Sequence, residues 1–215
     1  MIFAQTRLSC RAATRPRNRR TGRPYSVAVL LRWIDGPPDA GVRAGLLRLV
    51  QAVAATGGAV GWMQVPPPQE VDGWLDGLLG DGARLVTGYD GSGLLVGSGA
   101  WRRHGPAPLR RAAEVTKVMT HPQARGRGVG RAVVQALVGD ARAAGVEMLT
   151  LECRGNNHGA LRLYAGLGFV VTGRRPDLVA VGDERFDQVL MHLDLRTGPA
   201  GLRRNGGRGA GPGST

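Results

Sequence analysis

Arg125-Gly126-Arg127-Gly128-Val129-Gly130 decides how this chain is read. The run follows a β-like segment, Glu114 to Thr120, and opens an amphipathic stretch from Val129 to Ala144. A strand that passes through a glycine-and-arginine turn into a helix is suited to holding phosphate. Glycines lack Cβ atoms, so the backbone can come close to an anion. The unpaired N–H groups and the positive dipole end of the new helix then point at it. Two better-known glycine loops do not fit. A dinucleotide loop, G-x-G-x-x-G, needs its third glycine one residue later, and the G-K-[S/T] of a P-loop occurs nowhere.

A second segment lies at a fitting distance. Leu149-Thr150-Leu151-Glu152-Cys153 reads as a strand, followed by Asn157-x-x-Ala160-x-x-Leu163-Tyr164-x-x-x-Gly168-Phe169. The spacing Arg125-x-x-Gly128-x-Gly130 resembles the pyrophosphate loop of the GNAT acyltransferases. The later segment resembles that family's N-x-x-A-x-x-L-Y-x-x-x-G-F pattern at every specified position. The resemblance runs from about residue 26 to 195 and is strongest between Glu114 and Phe169. It implies an α/β GNAT fold, a mixed central sheet whose central strands splay apart, flanked by helices. It also implies an N-acetyltransferase that uses acetyl-coenzyme A.

The resemblance assigns expected roles to particular residues. The loop from Gly126 to Arg131 would hold the pyrophosphate through backbone amides, with Arg125, Arg127 and Arg131 adding charge. Solvated surface charge is the plainer reading for at least one of these side chains. Val118, Met119 and Thr120 would offer free backbone groups to the pantetheine arm as an added strand would. One N–H there could polarise the thioester oxygen. Asn157 is placed to cap its helix and, in the family, also contacts the pantetheine or orders water. Tyr164, at helical spacing with Ala160, Leu163 and Leu167, reads as a half-buried core tyrosine; the family position often protonates the departing thiolate.

Two carboxylates compete as the base that must deprotonate an ammonium of pKa near ~10.4. Glu114 resembles the glutamate of histone-type acetyltransferases, and the tetrad Glu114-Val115-Thr116-Lys117 resembles E-V-x-K in a bacterial small-molecule subgroup. Glu152 matches the L-E-x-R-x-x-N pattern of ribosomal-protein N-terminal acetyltransferases. Strand alternation puts Glu152 on one face with Thr150 and Arg154, so a solvent-facing Glu152–Arg154 ion pair is the plainer alternative.

The formal charge of +13 is concentrated at the ends, because residues 1–25 and 196–215 hold seven and four arginines and no acid. The stretch 26–195 is nearly neutral and long enough for one good core. Both ends are expected to be disordered extensions, the first Arg/Thr/Pro-rich and the second Gly/Arg-rich. The first also has the acid-poor composition of an organelle transit peptide, although Pro16 and the arginines beyond it suit an amphipathic helix poorly. One lysine stands against 28 arginines, a bias that a GC-rich genome would produce without functional cause. No apolar run approaches the ~20 residues of a membrane span. Cys10 and Cys153 are far apart, so a disulfide framework is not expected and a cytoplasmic setting is. His104, His121, His158 and His192 show no ligand spacing, and no metal is expected.

In outline, a strand over Val27–Ile34 leads to helices over Ala40–Ala55 and Gln69–Leu79. A hairpin, Arg84–Tyr89 and Leu94–Trp101, turns on Asp90-Gly91-Ser92-Gly93. The two motif segments follow, then closing strands over Val170–Arg174 and Arg185–Leu195. Trp62, Trp74 and Pro66–Pro68 suggest an apolar wall to an acceptor site, with simple core packing equally expected. The expected reaction is direct attack of a small-molecule primary amine on acetyl-coenzyme A in a ternary complex. The alternatives are a protein N-terminal or lysine acetyltransferase, or a non-catalytic acyl-coenzyme A-binding module. Specific nucleic-acid binding is not expected, because the basic ends carry no aromatic but Tyr25 interleaved with the arginines. Relatives that dimerise through their last strands suggest a homodimer by analogy.

Overall fold

The computed structural model describes residues 29–196 apart from 59, 60, 63 and 106. The extension read at residues 1–25, and that read at 196–215 beyond its first residue, lie outside the described residues, as do Val27 and the residue after it. The strands are β1 (Leu30–Ile34), β2 (Arg84–Tyr89), β3 (Leu95–Arg103), β4 (Ala112–Thr120), β5 (Met148–Arg154), β6 (Val170–Val181) and β7 (Glu184–Asp194). The helices are α1 (Ala40–Ala54), α2 (Pro68–Gly80), α3 (Val129–Ala143) and α4 (His158–Ala165). Their order along the chain is the one expected from the sequence.

Local chemistry sets most of the boundaries. Asp39 Oδ1 accepts the Val42 N–H at 2.8 Å and starts α1, and Asn157 Oδ1 accepts the Ala160 N–H at 3.2 Å and starts α4. Pro68 opens α2, where its missing N–H costs nothing. The β2–β3 turn closes on Asp90, whose Oδ1 accepts from the Ser92 and Leu94 amides at 2.9 and 3.1 Å.

The seven strands form one mixed sheet in the order β1-β2-β3-β4-β5-β7-β6. Leu46, Leu49, Val50, Val71 and Leu75 of α1 and α2 pack on one face. Val133, Val134 and Leu137 of α3 pack on the other, against Leu149 and Leu151. These residues are at most 2 % exposed, so each leucine contributes about 1.5–3 kcal/mol by the usual measure of apolar burial. Asp140 ties the far end of α3 to the sheet, accepting from Arg84 at 3.0 and 3.2 Å and from the Trp101 indole at 2.9 Å.

Two irregularities matter for function. β4 and β5 are the parallel pair, and they are joined only through Ala112–Met148, Ala113–Leu149 and Glu114–Thr150. Beyond Glu114 they part, and a cleft opens in the middle of the sheet. Where they part, β4 carries a bulge: its register to β3 slips between Thr116 and Met119, and Lys117 takes φ 52°. The bulge brings Met119 to the α1/α2 core, while Ala113 and Val115 lie in the α3 core.

The first closing strand runs longer than the sequence suggested, while the second, β7, lies within one residue of the expected Arg185–Leu195. Arg174-Arg175-Pro176-Asp177 looks like the end of a strand, yet β6 continues to Val181. Its register to β7 slips between Arg175 and Val179, around Pro176 and Asp177 at φ 54°. An edge strand tolerates both the proline and the irregularity, because one side of it has no ladder to break. The β6–β7 hairpin therefore projects past Gln188, the last β7 residue paired to β5.

Candidate active site

The cleft between β4 and β5 has a volume of about 610 Å³. Val118, Met119 and Thr120 form one wall, and Asn157, Ala160, Leu163 and Tyr164, from the start and body of α4, form the other. Arg125, Gly126, Gly128, Val129, Gly130 and Arg131 close one end. The two segments singled out in the sequence thus face each other across one cavity.

The loop is shaped by two glycines in the left-handed region, Gly126 at φ 74° and Gly128 at φ 84°. Side chains rarely adopt this backbone, so the turn into α3 favours glycine. Gly128 is the N-cap of α3 and has no side chain with which to cap, which leaves the first amides of the helix directed at the cleft end. Gly130 sits between the two walls: a Cβ there would lie 3.2 Å from both Leu163 Cδ2 and Thr120 Oγ1.

The three loop arginines part company. Arg125 Nη2 donates to Thr56 Oγ1 at 3.1 Å, and Arg131 Nη1 donates to the Gly166 carbonyl at 3.3 Å; both line the cleft. Arg127 is not part of the cleft lining. It faces the β2–β3 turn, where the Ser92 hydroxyl chiefly, and Arg127 more weakly, hold the Asp90 carboxyl below its usual pKa. The Arg127 side chain is exposed.

Tyr164 is 8 % exposed and packs edge-on against Phe169, with ring centroids 5.7 Å apart. Burial, and secondarily the neighbouring Cys153, push its pKa above the usual tyrosine range. The hydroxyl is held in its protonated, donating form. Cys153 is a free, buried thiol whose pKa is raised to about 11, mainly by burial.

Neither Glu114 nor Glu152 lines the cleft. Glu114 stands where the strands part, and its Oε2 accepts from Arg102 Nε and Nη2 at 3.3 and 3.2 Å. Glu152 lies beyond that point on β5, on the face opposite Leu149, Leu151 and Cys153, as alternation predicts. Its partner is not Arg154: Oε1 accepts from Arg175 at 3.0 Å and Oε2 from Gln188 at 2.5 Å. The longer β6 made this pairing, since Arg175 and Gln188 face each other across the β6–β7 ladder. Lys117 turns toward the α2 side, with Nζ 4.8 Å from the Trp62 ring centroid and 5.8 Å from that of Trp74. Burial lowers its pKa, and Glu114 opposes that shift.

Sequence reasoning missed part of the lining. Val53, Thr56, Gly57 and Gly58 close the cleft from the end of α1. Arg154 at the end of β5, Asn156 in the β5–α4 connection and Gly159 in the first turn of α4 close it from the other side of the sheet gap. Thr56-Gly57-Gly58 signals a helix stop, and nothing in its spacing says what the stop faces. Among the described residues no group of three or more His, Cys, Asp or Glu is placed to hold a metal ion. No helix among them is long and apolar enough to cross a membrane.

Comparison with known proteins agrees with this geometry. Residues 54–169 match the family model described as the acetyltransferase (GNAT) family. An L-methionine sulfoximine/L-methionine sulfone acetyltransferase of Pseudomonas paraeruginosa is 25% identical over 73% of this chain and 92% of its own length. An L-amino acid N-acyltransferase of Escherichia coli K12 is 31% identical over 57% of this chain and 67% of its own. Among solved structures, a phosphinothricin acetyltransferase of Sinorhizobium meliloti in complex with acetyl-coenzyme A superimposes with a TM-score of 0.66. It is 21% identical and matches 77% of this chain and 88% of that one.

Proposed function

Since this chain belongs to the GNAT family of acetyltransferases, with acetyl-coenzyme A as its donor, we propose that it acetylates the primary amine of an amino-acid-like small molecule. The observation that carries the proposal is the opened β4–β5 cleft, with the glycine loop at one end and Tyr164 in its wall. Relatives named for L-methionine sulfone and for L-amino acids support the choice of acceptor.

The reaction proceeds by direct attack within a ternary complex. Amides of the Gly126–Arg131 loop hold the pyrophosphate, and Arg125 and Arg131 add charge. The Val118–Thr120 segment, paired to β3 on one side but not to β5 on the other, takes the pantetheine as an extra strand, and Asn157 meets it from the opposite wall. The acceptor ammonium gives a proton to Glu114 or Glu152 through water, because neither carboxylate lines the cleft. The free amine then attacks the thioester carbon. The developing oxyanion is met by a backbone N–H of β4; as it collapses the C–S bond breaks, Tyr164 protonates the departing sulfur, and the second proton, shed by the acylated nitrogen, returns to Tyr164 through water. The unit that does this is residues 26–195. A chain whose described cysteine is a free thiol suits the reducing cytoplasm.

The test is release of coenzyme A thiol across a panel of amino acids, simple amines, aminoglycosides and short peptides. Turnover confined to amino acids and their close analogues is expected. Turnover of peptides alone would replace this reading with a protein-directed one, and acetyl-coenzyme A binding without any turnover would point to a sensor. Glu114→Gln and Glu152→Gln separate the two bases: the true one lowers kcat on the order of 10²-fold or more and leaves donor affinity unchanged. Unchanged rates in both variants would remove carboxylate-base catalysis.

A further inference from the structure

Arg154 is the cleft arginine that the phosphate loop does not account for. It is the last residue of β5, and alternation puts its side chain on the face of Thr150 and Glu152, away from α3 and α4. Arg125 and Arg131 arise instead from the loop and the first turn of α3. The guanidinium of Arg154 touches three separate segments. Nη2 donates to the Gly57 carbonyl at 3.0 Å in the turn after α1, and Nε donates to Asn156 Oδ1 at 2.7 Å. The Phe186 ring of the projecting β7 strand lies with its centroid 5.3 Å away.

Each of these partners is neutral. Arg43, Arg84, Arg102, Arg174 and Arg175, by contrast, each pair with an aspartate or glutamate. Arg154 is half-buried in a ligand-sized cleft, and its positive charge meets no carboxylate among the described residues. A partly desolvated cation in such a place gains most when an anion arrives. The guanidinium carries five N–H donors and its two hydrogen bonds use two of them, so an edge remains for a two-oxygen acceptor. The backbone carbonyl on one side and the aromatic ring on the other hold its plane, so little side-chain freedom is lost on binding.

We infer that Arg154 binds the carboxylate of the acceptor and so selects α-amino acids over simple amines. This inference rests on the proposed amino-acid-like acceptor. It assigns to the β5 terminus, the α1 turn and the β7 arm a shared purpose: together they fix one cation in the lining of the cleft.

The experiment compares L-methionine sulfone with its carboxamide, which keeps the amine and removes the negative charge. Wild-type protein, Arg154→Lys and Arg154→Gln are assayed by thiol release, and acetyl-coenzyme A binding is followed by calorimetry. Loss of a charged two-point contact predicts that Arg154→Gln lowers kcat/KM for the acid roughly 10- to 100-fold, through KM, and leaves the carboxamide rate nearly unchanged. Arg154→Lys should recover part of the acid's KM. An equal loss for acid and carboxamide, or weakened acetyl-coenzyme A binding, would overturn the inference and make Arg154 a structural or donor-binding residue. Wild-type turnover of the carboxamide as efficient as that of the acid would also overturn it, with the small-molecule reading intact. Acetyl-coenzyme A binding with no turnover of either compound would remove that reading and this inference together.

Discussion

Tyr164 shows how a side chain's surroundings decide what it can do. Its spacing reads equally well as a core tyrosine, and the structure makes it both a packed residue and a wall of the cleft. Burial raises its pKa, so the hydroxyl stays protonated as pH climbs past the ordinary tyrosine value of about 10. Tyr164→Phe is expected to lower kcat by on the order of 10²-fold with donor affinity unchanged, and wild-type kcat should hold between about pH 8 and 10. Thiol release over that pH range checks both statements; an alkaline fall in kcat that vanishes in Tyr164→Phe would mean that the hydroxyl ionises early. Residue-level reading from sequence worked for local structure: Asn157 caps α4 as its position suggested, and α3 opens at Gly128–Val129. It failed where a role depends on a distant strand: the partner of Glu152 is Arg175, 23 residues away, not Arg154.

At the scale of elements, the loop and the α3 terminus were legible because their chemistry is local. The β6–β7 arm was not, since Pro176 and Asp177 carry ordinary turn chemistry and only the edge position of β6 lets the strand absorb them. The β4 bulge was likewise hidden, because the alternation of Glu114 to Thr120 breaks without any marker residue. Gly128→Ala tests the loop as a built element. At φ 84° an alanine costs about 1–2 kcal/mol, and it displaces the amides that face the cleft end. A fall in urea midpoint together with weaker acetyl-coenzyme A binding by calorimetry is expected. Loss of stability with binding intact would separate the turn from the ligand.

For the whole molecule, the charge distribution and the fold point the same way. The net charge of +13 comes almost entirely from the two ends, and the cleft is built from residues between Val53 and Tyr164. Removing residues 1–25 and 197–215 should therefore leave acetyl-coenzyme A affinity and turnover within about twofold of the full chain, a difference under about 0.5 kcal/mol. Loss of binding on truncation would show that the ends belong to the functional unit. Fold class was the most legible property of all, since a fixed order of strands and helices and one sheet leave few arrangements.

The parting of β4 and β5 has one more consequence. Most sheets keep their unpaired backbone at the rim; this one parts in its interior, between β4 and β5, with hydrophobic layers on both of its faces. A donor that takes up those free amides and carbonyls becomes, while bound, a temporary part of the protein's own scaffold. Ligand at a hundred times its dissociation constant adds about 2.7 kcal/mol to folding stability. The rigidity of this molecule, and its lifetime against unfolding, would then rise and fall with the acyl-donor supply around it.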